Sequence, residues 1–166
     1  MADADDLSHR FEGESVGRAL ALVGERWTLL ILRESFFGVR RFGQFARNLD
    51  IPRPTLSSRL RTLVDAGLLE RVPYALDPER HEYRLTDAGR DLFGAIVALM
   101  RWGDAHLSGP EGPPIVLRHQ ACGEIAEPRL TCRQCGEEID ARNVTPEPGP
   151  GFRDRRAATG QRAQLV

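Results

Sequence analysis

The segment from Asp50 to Gly67 constrains the fold more than any other part of this 166-residue sequence. It opens with the segment DIPRP, whose two prolines end the preceding helix. It continues as the predicted helix PTLSSRLRTLVDAG, whose apolar residues recur at helical spacing. Its inner stripe consists of Leu56, Leu60, Leu63 and Val64. The opposite face has hydroxyls, an arginine and little bulk: Pro54, Thr55, Ser58, Arg61, Thr62 and Asp65. A helix that only meets solvent would more often carry Glu and Lys there, so we expect this face to meet another molecule.

The elements around this helix are predicted to follow the order of a winged helix-turn-helix domain. Three helices precede it: one ending at Gly24, a largely apolar and buried one, RWTLLILRESFF, and the short RRFGQFARNL. A hairpin follows, with LLERVPY and EYRLT as strands, ALDPERH as a loop and Asp77-Pro78 at the turn. Thr86 is expected to cap a last single helix, DAGRDLFGAIVALMRWGDAHL. The predicted fold class is therefore mainly α with a small β-hairpin wing.

The distribution of charge favours a nucleic-acid partner, although the formal net charge is only −1. From Gly38 to Arg61 six arginines accompany one acid, whereas residues 1–14 carry five acids and one arginine. A basic stretch over a predicted helix-turn-helix is typical of a DNA-binding surface. The chain contains no lysine, which we interpret as codon bias in a GC-rich genome.

Four motifs resemble the HxlR-type branch of the MarR-like bacterial transcription regulators. They are GERWTLLILRE (Gly24–Glu34), RRFGQF (Arg40–Phe45), LSSRLRTLVDAGLLER (Leu56–Arg71) and EYRLTDAGR (Glu82–Arg90). The resemblance extends over residues 14–107. It implies a homodimer, paired through the first and last helices, that binds a near-palindromic operator and represses transcription. Many family members carry a redox-sensing cysteine in a CPV context before the first helix; the matching residues here are Glu14-Ser15-Val16, so thiol sensing at that position is not expected.

The resemblance also implies how each element meets DNA. The helix from Pro54 would enter the major groove, and the Pro73–His81 hairpin would reach the flanking backbone or minor groove. Residue chemistry agrees, because small side chains let a helix approach base edges and arginine forks onto guanine or phosphate. Arg47 is expected to hold a phosphate. The predicted DNA-binding residues are Arg40, Arg41, Arg53, Pro54, Thr55, Ser57, Ser58, Arg59, Arg61, Arg80 and His81.

Other interpretations of these residues stay open. Arginine-rich helix faces are often merely solvated, and Arg59, beside the core stripe, could instead bind an acid within the fold. Trp27 and Trp102 are more typical of packing than of ligand stacking. The last helix has a wider apolar surface than one small domain can cover, which favours contact with a second subunit. The cleft between that helix and the rest of the domain would suit a small-molecule effector.

A second pattern lies near the C-terminus: HQACG (residues 119–123) and CRQCG (residues 132–136) repeat ligand, two spacers, ligand, glycine. Three thiolates and one imidazole suit a tetrahedral structural Zn²⁺ ion, one per chain. Its predicted ligands are His119, Cys122, Cys132 and Cys135. The few apolar residues nearby are too few for a core, so a small unit here needs a metal.

Alternatives to the zinc site also stay open. Cys132 and Cys135 could form a redox pair, since Cys-x-x-Cys supports thiol chemistry. The cysteines could be reduced and metal-free, and Asp140 or water could replace His119. Nine residues separate Cys122 from Cys132, fewer than the roughly 12–20 of common zinc modules, which predicts a compact zinc-ribbon-like unit.

The sequence is predicted to divide into five segments. They are a disordered tail (1–13), a winged-helix DNA-binding and dimerisation domain (14–107), a linker (108–114), the zinc-ribbon-like unit (115–145) and a second disordered tail (146–166).

The acidic start of the sequence is unlike a signal peptide and no apolar run approaches a membrane span, so we expect a cytoplasmic protein. No catalytic constellation is apparent. The predicted function is DNA-binding regulation; the alternative is a metal- or redox-responsive module whose cysteine unit contacts a protein or controls the dimer.

Overall fold

A computed structural model describes residues 15–76, 79–147 and 150 of the chain. The chain forms two compact units, Met1–Ile115 and Val116–Val166. The predicted tail at 1–13, most of the predicted tail at 146–166 and the predicted turn at Asp77-Pro78 lie outside the described residues. No described helix is long and apolar enough to cross a membrane.

Four helices open the first unit: α1 (Ser15–Val23), α2 (Arg26–Phe36), α3 (Phe42–Leu49) and α4 (Arg53–Asp65). The side chain of Glu25 caps α2, because its Oε2 accepts from the backbone N–H groups of Trp27 and Thr28 at 3.0 and 3.2 Å. The helix α4 begins at Arg53, one residue before the predicted start, with Pro54 in its first turn. Proline fits there, since its missing N–H would have had no partner within the helix.

The core of the first unit gathers around α2, α3 and α4. Its fully buried side chains are Thr28, Ile31, Leu32, Phe45, Leu56, Leu60, Leu63 and Leu69. The predicted inner stripe of α4 is thus confirmed at its three leucines, whereas Val64 is half-buried. Burial of α2, predicted from its nearly continuous apolar run, is also confirmed at Ile31 and Leu32. This packing fixes the angle at which the outer face of α4 is presented.

The predicted wing is present as an antiparallel hairpin of β1 (Leu69–Leu76) and β2 (Glu79–Leu85). The strands extend farther than predicted, because residues assigned to the loop continue the ladder to the Leu76–Glu79 pair. The register shifts between Pro73 and Ala75, which leaves Tyr74 in a bulge. Proline favours such a site because it cannot donate to the ladder.

The last helix is divided, and the prediction of one continuous helix was wrong. A short α5 (Asp87–Asp91) is followed by α6 (Phe93–Leu107). At the break, Leu92 donates to the carbonyl of Gly89 at 3.2 Å, a tight turn between the two helices. Thr86 caps α5 as predicted, since its Oγ1 accepts from Gly89 N–H at 3.1 Å.

Large apolar side chains on α1 and α6 lie exposed. They include Val16, Leu20, Phe93, Leu99, Trp102 and Leu107, and Trp102 is 58% exposed. Only the ends and inner edges of the two helices join the core, through Val23, Ile96 and Val97. The first unit therefore carries an apolar surface on these helices that its own described residues do not cover, which we call the α1/α6 surface.

Candidate nucleic-acid interface

The turn between α3 and α4 fixes the geometry of the helix-turn-helix. Asp50 ends α3 in a left-handed conformation, with φ 48° and ψ 41°. Asp and Asn tolerate this conformation better than most residues with a side chain. Ile51 follows and is buried, which anchors the turn in the core. Pro52 precedes α4 without a side-chain cap, so the N-terminal amides of α4 stay open toward a ligand.

Most of the predicted recognition residues lie at the surface of α4. Arg53, Pro54, Ser57, Ser58 and Arg61 are exposed, and Thr55 is half-buried. Within the part of the chain that the structure describes, no hydrogen bond or ion pair engages the guanidinium of Arg53 or Arg61. Two unpaired cations on a slim helix face are therefore available to an anionic partner.

Arg59 differs from these residues, because it turns back toward its own fold. Its Nε lies 3.8 Å from Oε2 of Glu25, and the side chain is 33% exposed. The Nε atom is buried without a hydrogen-bond partner among the described residues. This geometry matches the alternative that Arg59 binds an acid within the fold.

The wing presents Arg80 and His81 differently. Arg80 is exposed near the tip of β2 and has no described side-chain partner. His81 is engaged at both ring nitrogens: Nη2 of Arg71 lies 2.9 Å from Nδ1, and Oε1 of Glu79 lies 3.1 Å from Nε2. Sequence reasoning missed Arg71. It shares a face of the hairpin with His81, which the strand alternation would have shown had the strands been predicted longer.

Arg40 and Arg41 join the helix-turn-helix to the wing. Tyr83 N–H donates to the carbonyl of Arg40 at 2.7 Å, and the backbones of Arg41 and Glu82 pair as an isolated antiparallel β-bridge. The guanidinium of Arg41 lies over the ring of Tyr74, 4.5 Å from its centroid, as a cation–π contact. Both arginines are exposed. No local pattern predicts this contact, since it depends on the bulge at Tyr74.

The structure brings the predicted metal ligands together as two separate pairs. Sγ of Cys122 lies 3.4 Å from Nδ1 of His119. In the second pair, backbone N–H groups of Cys135 and Gln134 and the Cys135 thiol donate to Cys132 and lower the pKa of its thiol. Among the described residues, no three His, Cys, Asp or Glu side chains are grouped closely enough to hold a metal ion.

Comparisons with known proteins agree with this architecture. Residues 22–110 match the family model described as HxlR-like helix-turn-helix. An uncharacterized HTH-type transcriptional regulator of Mycobacterium tuberculosis strain H37Rv is 78% identical over 154 residues, which cover 93% of this chain and 98% of the relative. These similar proteins are named as transcriptional regulators, and no enzyme family is indicated.

Solved structures show the same relationship. The crystal structure of PA1607, a candidate transcription factor, is 34% identical with a TM-score of 0.73 and covers 84% of this chain and 99% of that chain. The redox regulator HypR in its reduced form is 30% identical with a TM-score of 0.51 and covers 54% of this chain and 90% of that chain. The likeness to PA1607 covers more of the chain than the first unit alone supplies.

Proposed function

Because the chain belongs to the HxlR-like helix-turn-helix family and is a transcriptional regulator with a helix-turn-helix DNA-binding domain, we propose that it acts as a homodimer on a palindromic operator. The outer face of α4 carries this proposal. Its hydroxyls and its two unpaired arginines, Arg53 and Arg61, stand on a helix held from behind by three buried leucines. A helix of this width fits the major groove, about 12 Å wide.

Contacts to bases and to phosphates divide between the elements. Arg53 and Arg61 are proposed to reach guanine edges or phosphates from α4, while Ser57 and Ser58 let the helix approach closely. Arg40 and Arg80 hold phosphates on either side of the groove and contribute salt-dependent affinity. His81 contributes less, since both of its ring nitrogens already have partners.

The α1/α6 surface supports the homodimer. Leu20, Leu99 and Trp102 are each more than half exposed on the two helices, and an uncovered apolar face of this kind favours association. A second copy is its proposed occupant, because the operator proposal requires two α4 helices on one duplex and the family resemblance pairs these helices. Repression is the proposed outcome, by occupancy of a promoter. A small-molecule effector would bind beside α6.

A selection from a random duplex library, performed with the full chain, tests DNA binding. Fluorescence anisotropy on the selected duplex then compares three variants. Arg53→Ala and Arg61→Ala should each weaken binding by about 5- to 150-fold, the equivalent of one lost bidentate arginine contact. Arg142→Ala, which removes an exposed arginine of the second unit, is the matched control and should bind as the wild type does. Equal affinities for all three would refute the role of α4.

The dimer is tested separately by sedimentation. Leu99→Glu, on the α1/α6 surface, should produce monomers and lose affinity for the selected duplex. Leu130→Glu, at a residue that is 67% exposed in the second unit, is the matched control and should leave both unchanged. A Leu99→Glu protein that still sediments as a dimer would remove this surface from the proposal.

A promoter–reporter strain measures the sign of regulation. Deletion of the gene for this protein should raise expression of the reporter.

A second candidate is redox control of DNA binding, favoured by the likeness to HypR, which is described as a redox regulator. All three cysteines of this chain lie in the second unit, so a thiol sensor would have to operate there. Peroxide treatment should then change the affinity for the selected duplex in the wild type but not in Cys135→Ser. An affinity that is the same before and after peroxide, with oxidised cysteines verified by mass spectrometry, would exclude this candidate.

A further inference from the structure

The two ligand pairs of the second unit stand on turns with the same backbone hydrogen bonds, 13 residues apart along the chain. In the first turn, the backbone N–H of His119 donates to the Glu124 carbonyl at 2.9 Å, and the backbone N–H of Gly123 donates to the His119 carbonyl at 2.8 Å. In the second, Cys132 N–H donates to Glu137 and Gly136 N–H donates to Cys132, both at 2.8 Å.

The flanking pairs repeat at the same offset. The backbones of Arg118 and Ile125 form an antiparallel β-bridge in the first turn, and those of Thr131 and Glu138 form one in the second. The glycine that follows each ligand pair has a positive φ, 75° at Gly123 and 78° at Gly136, a conformation that side chains disfavour. The sequence showed a repeat of ligands, spacers and glycine, and the backbone shows two copies of one structural motif. Each copy places its first and fourth residues as a pair.

The hydrogen bonds of each turn hold its two ligands ready. In the second turn, the bond from Gly136 N–H to the Cys132 carbonyl closes the backbone around Cys132 and Cys135. At the equivalent positions of the first turn, Nδ1 of His119 faces the Cys122 sulfur at 3.4 Å. The outermost backbone bonds of the two turns join Leu117 to Ala126 and Leu130 to Ile139, so only residues 127–129 lie between the turns.

Among the described residues of the second unit, no buried core replaces a metal as the source of stability. Of its described residues, 116–147 and 150, none is buried. Several of their large apolar side chains are open to solvent, with Leu130 67% and Ile125 53% exposed. A module of this size without a core ordinarily depends on a metal or on disulfides, and all three cysteines are free thiols.

We propose that the two turns close on one Zn²⁺ ion, held by Nδ1 of His119 and by Sγ of Cys122, Cys132 and Cys135. The three thiols release their protons to solvent and the imidazole binds in its neutral form, so the occupied site carries a net charge of one negative unit. Three sulfur ligands and one nitrogen ligand suit zinc in a tetrahedral arrangement. All four positions are filled by the chain, so the ion is structural and leaves no position for a substrate.

Elemental analysis of the full chain, purified with Zn²⁺ as the only added metal, tests the site. The expected result is one zinc ion per chain. Cys122→Ser and Cys132→Ser, one from each turn, should both lose it, and His119→Ala should weaken retention against a chelator by at least tenfold. Gln120→Ala and Arg133→Ala alter the spacers at equivalent positions of the two turns and should keep a full equivalent. Binding of Co²⁺ alone should give the visible bands of a tetrahedral site with a thiolate charge-transfer band.

Three results would overturn the proposal. Zinc that is lost in Cys132→Ser but fully retained in both Cys122→Ser and His119→Ala would place the ion on the second turn alone. Full retention in His119→Ala by itself would remove the imidazole from the ligand set. A chain with no zinc, in which thiol titration finds one free thiol and mass spectrometry finds a Cys132–Cys135 disulfide, would identify a redox pair. Operator binding by α4 is measured independently, so its failure and that of the metal site are distinguishable.

Discussion

The two units of this regulator are held together by different means. The first buries whole side chains, among them Phe45, Leu56 and Leu60, and its ion pairs include the buried Glu34. The second buries none of its described residues and is organised by backbone hydrogen bonds in two short turns. Apolar burial therefore specifies the position of α4, whereas the second unit is ordered by hydrogen-bonded turns that each contain a glycine with positive φ.

The largest expected effect comes from removing the proposed Zn²⁺ ion. Structural zinc contributes about 10–16 kcal/mol in small zinc modules near pH 7. Chelation of the zinc-loaded chain should therefore abolish the protection of the Gly123 and Gly136 amides against hydrogen exchange. The Tyr83 amide, bonded to Arg40 in the first unit, should keep its protection. Equal loss in both units would show that they unfold together and would break the comparison.

The next effect compares one truncation in two environments. Leu56→Ala removes a fully buried side chain and should lower the free energy of unfolding of the first unit by about 2–5 kcal/mol. Leu130→Ala, at a site that is 67% exposed, should change that free energy of unfolding by less than about 0.5 kcal/mol. Urea titration followed by circular dichroism measures this, because every described helix lies in the first unit. Similar losses would contradict the division between the units.

Two glycines separate steric from conformational requirements. A Cβ at Gly89 would meet the carbonyl oxygen of Leu68 at 2.1 Å, so both Gly89→Ala and Gly89→Asn should destabilise the first unit by about 1–3 kcal/mol. A Cβ at Gly136 meets nothing within 4 Å, but φ is +78°. Gly136→Ala should weaken zinc retention by the equivalent of about 1–2 kcal/mol, and Gly136→Asn by less, since Asn tolerates this conformation. Equal effects of Ala and Asn at Gly136 would mean that space limits that turn.

The smallest effect concerns an exposed ion pair in the second unit. Arg129 Nη1 lies 3.2 Å from Glu138 Oε2, and both side chains are more than half exposed. Glu138→Gln should change zinc retention by no more than about 0.2–1 kcal/mol, and less at high salt. The matched change in the first unit is Glu34→Gln, which alters a buried carboxylate bonded to Arg33 and Asn48. It should cost more, about 1–3 kcal/mol, by urea titration.

Sequence reasoning succeeded where interactions are local. The order of elements, the burial of Leu56, Leu60 and Leu63, and the cap at Thr86 all follow from spacing over a few residues. It failed where contacts join distant parts of the chain. The contact of Arg41 with Tyr74 spans more than thirty residues and was not predicted. The ion pair of Arg59 with Glu25 spans a similar distance, and the sequence indicated only that some acid within the fold was a possible partner. The break at Leu92 and the longer strands depend on tertiary packing, which local propensity does not encode.

Two backbone contacts have a mechanical consequence for the proposed complex. They are the hydrogen bond from Tyr83 N–H to the Arg40 carbonyl and the antiparallel β-bridge between Arg41 and Glu82. They tie the start of α3 to β2, so α4 and the hairpin approach DNA as one rigid part with a fixed span. Where the groove of a given duplex does not match that span, the misfit is taken up by bending of the DNA, at an energy that depends on base sequence. Base pairs that no side chain touches would then contribute to operator choice.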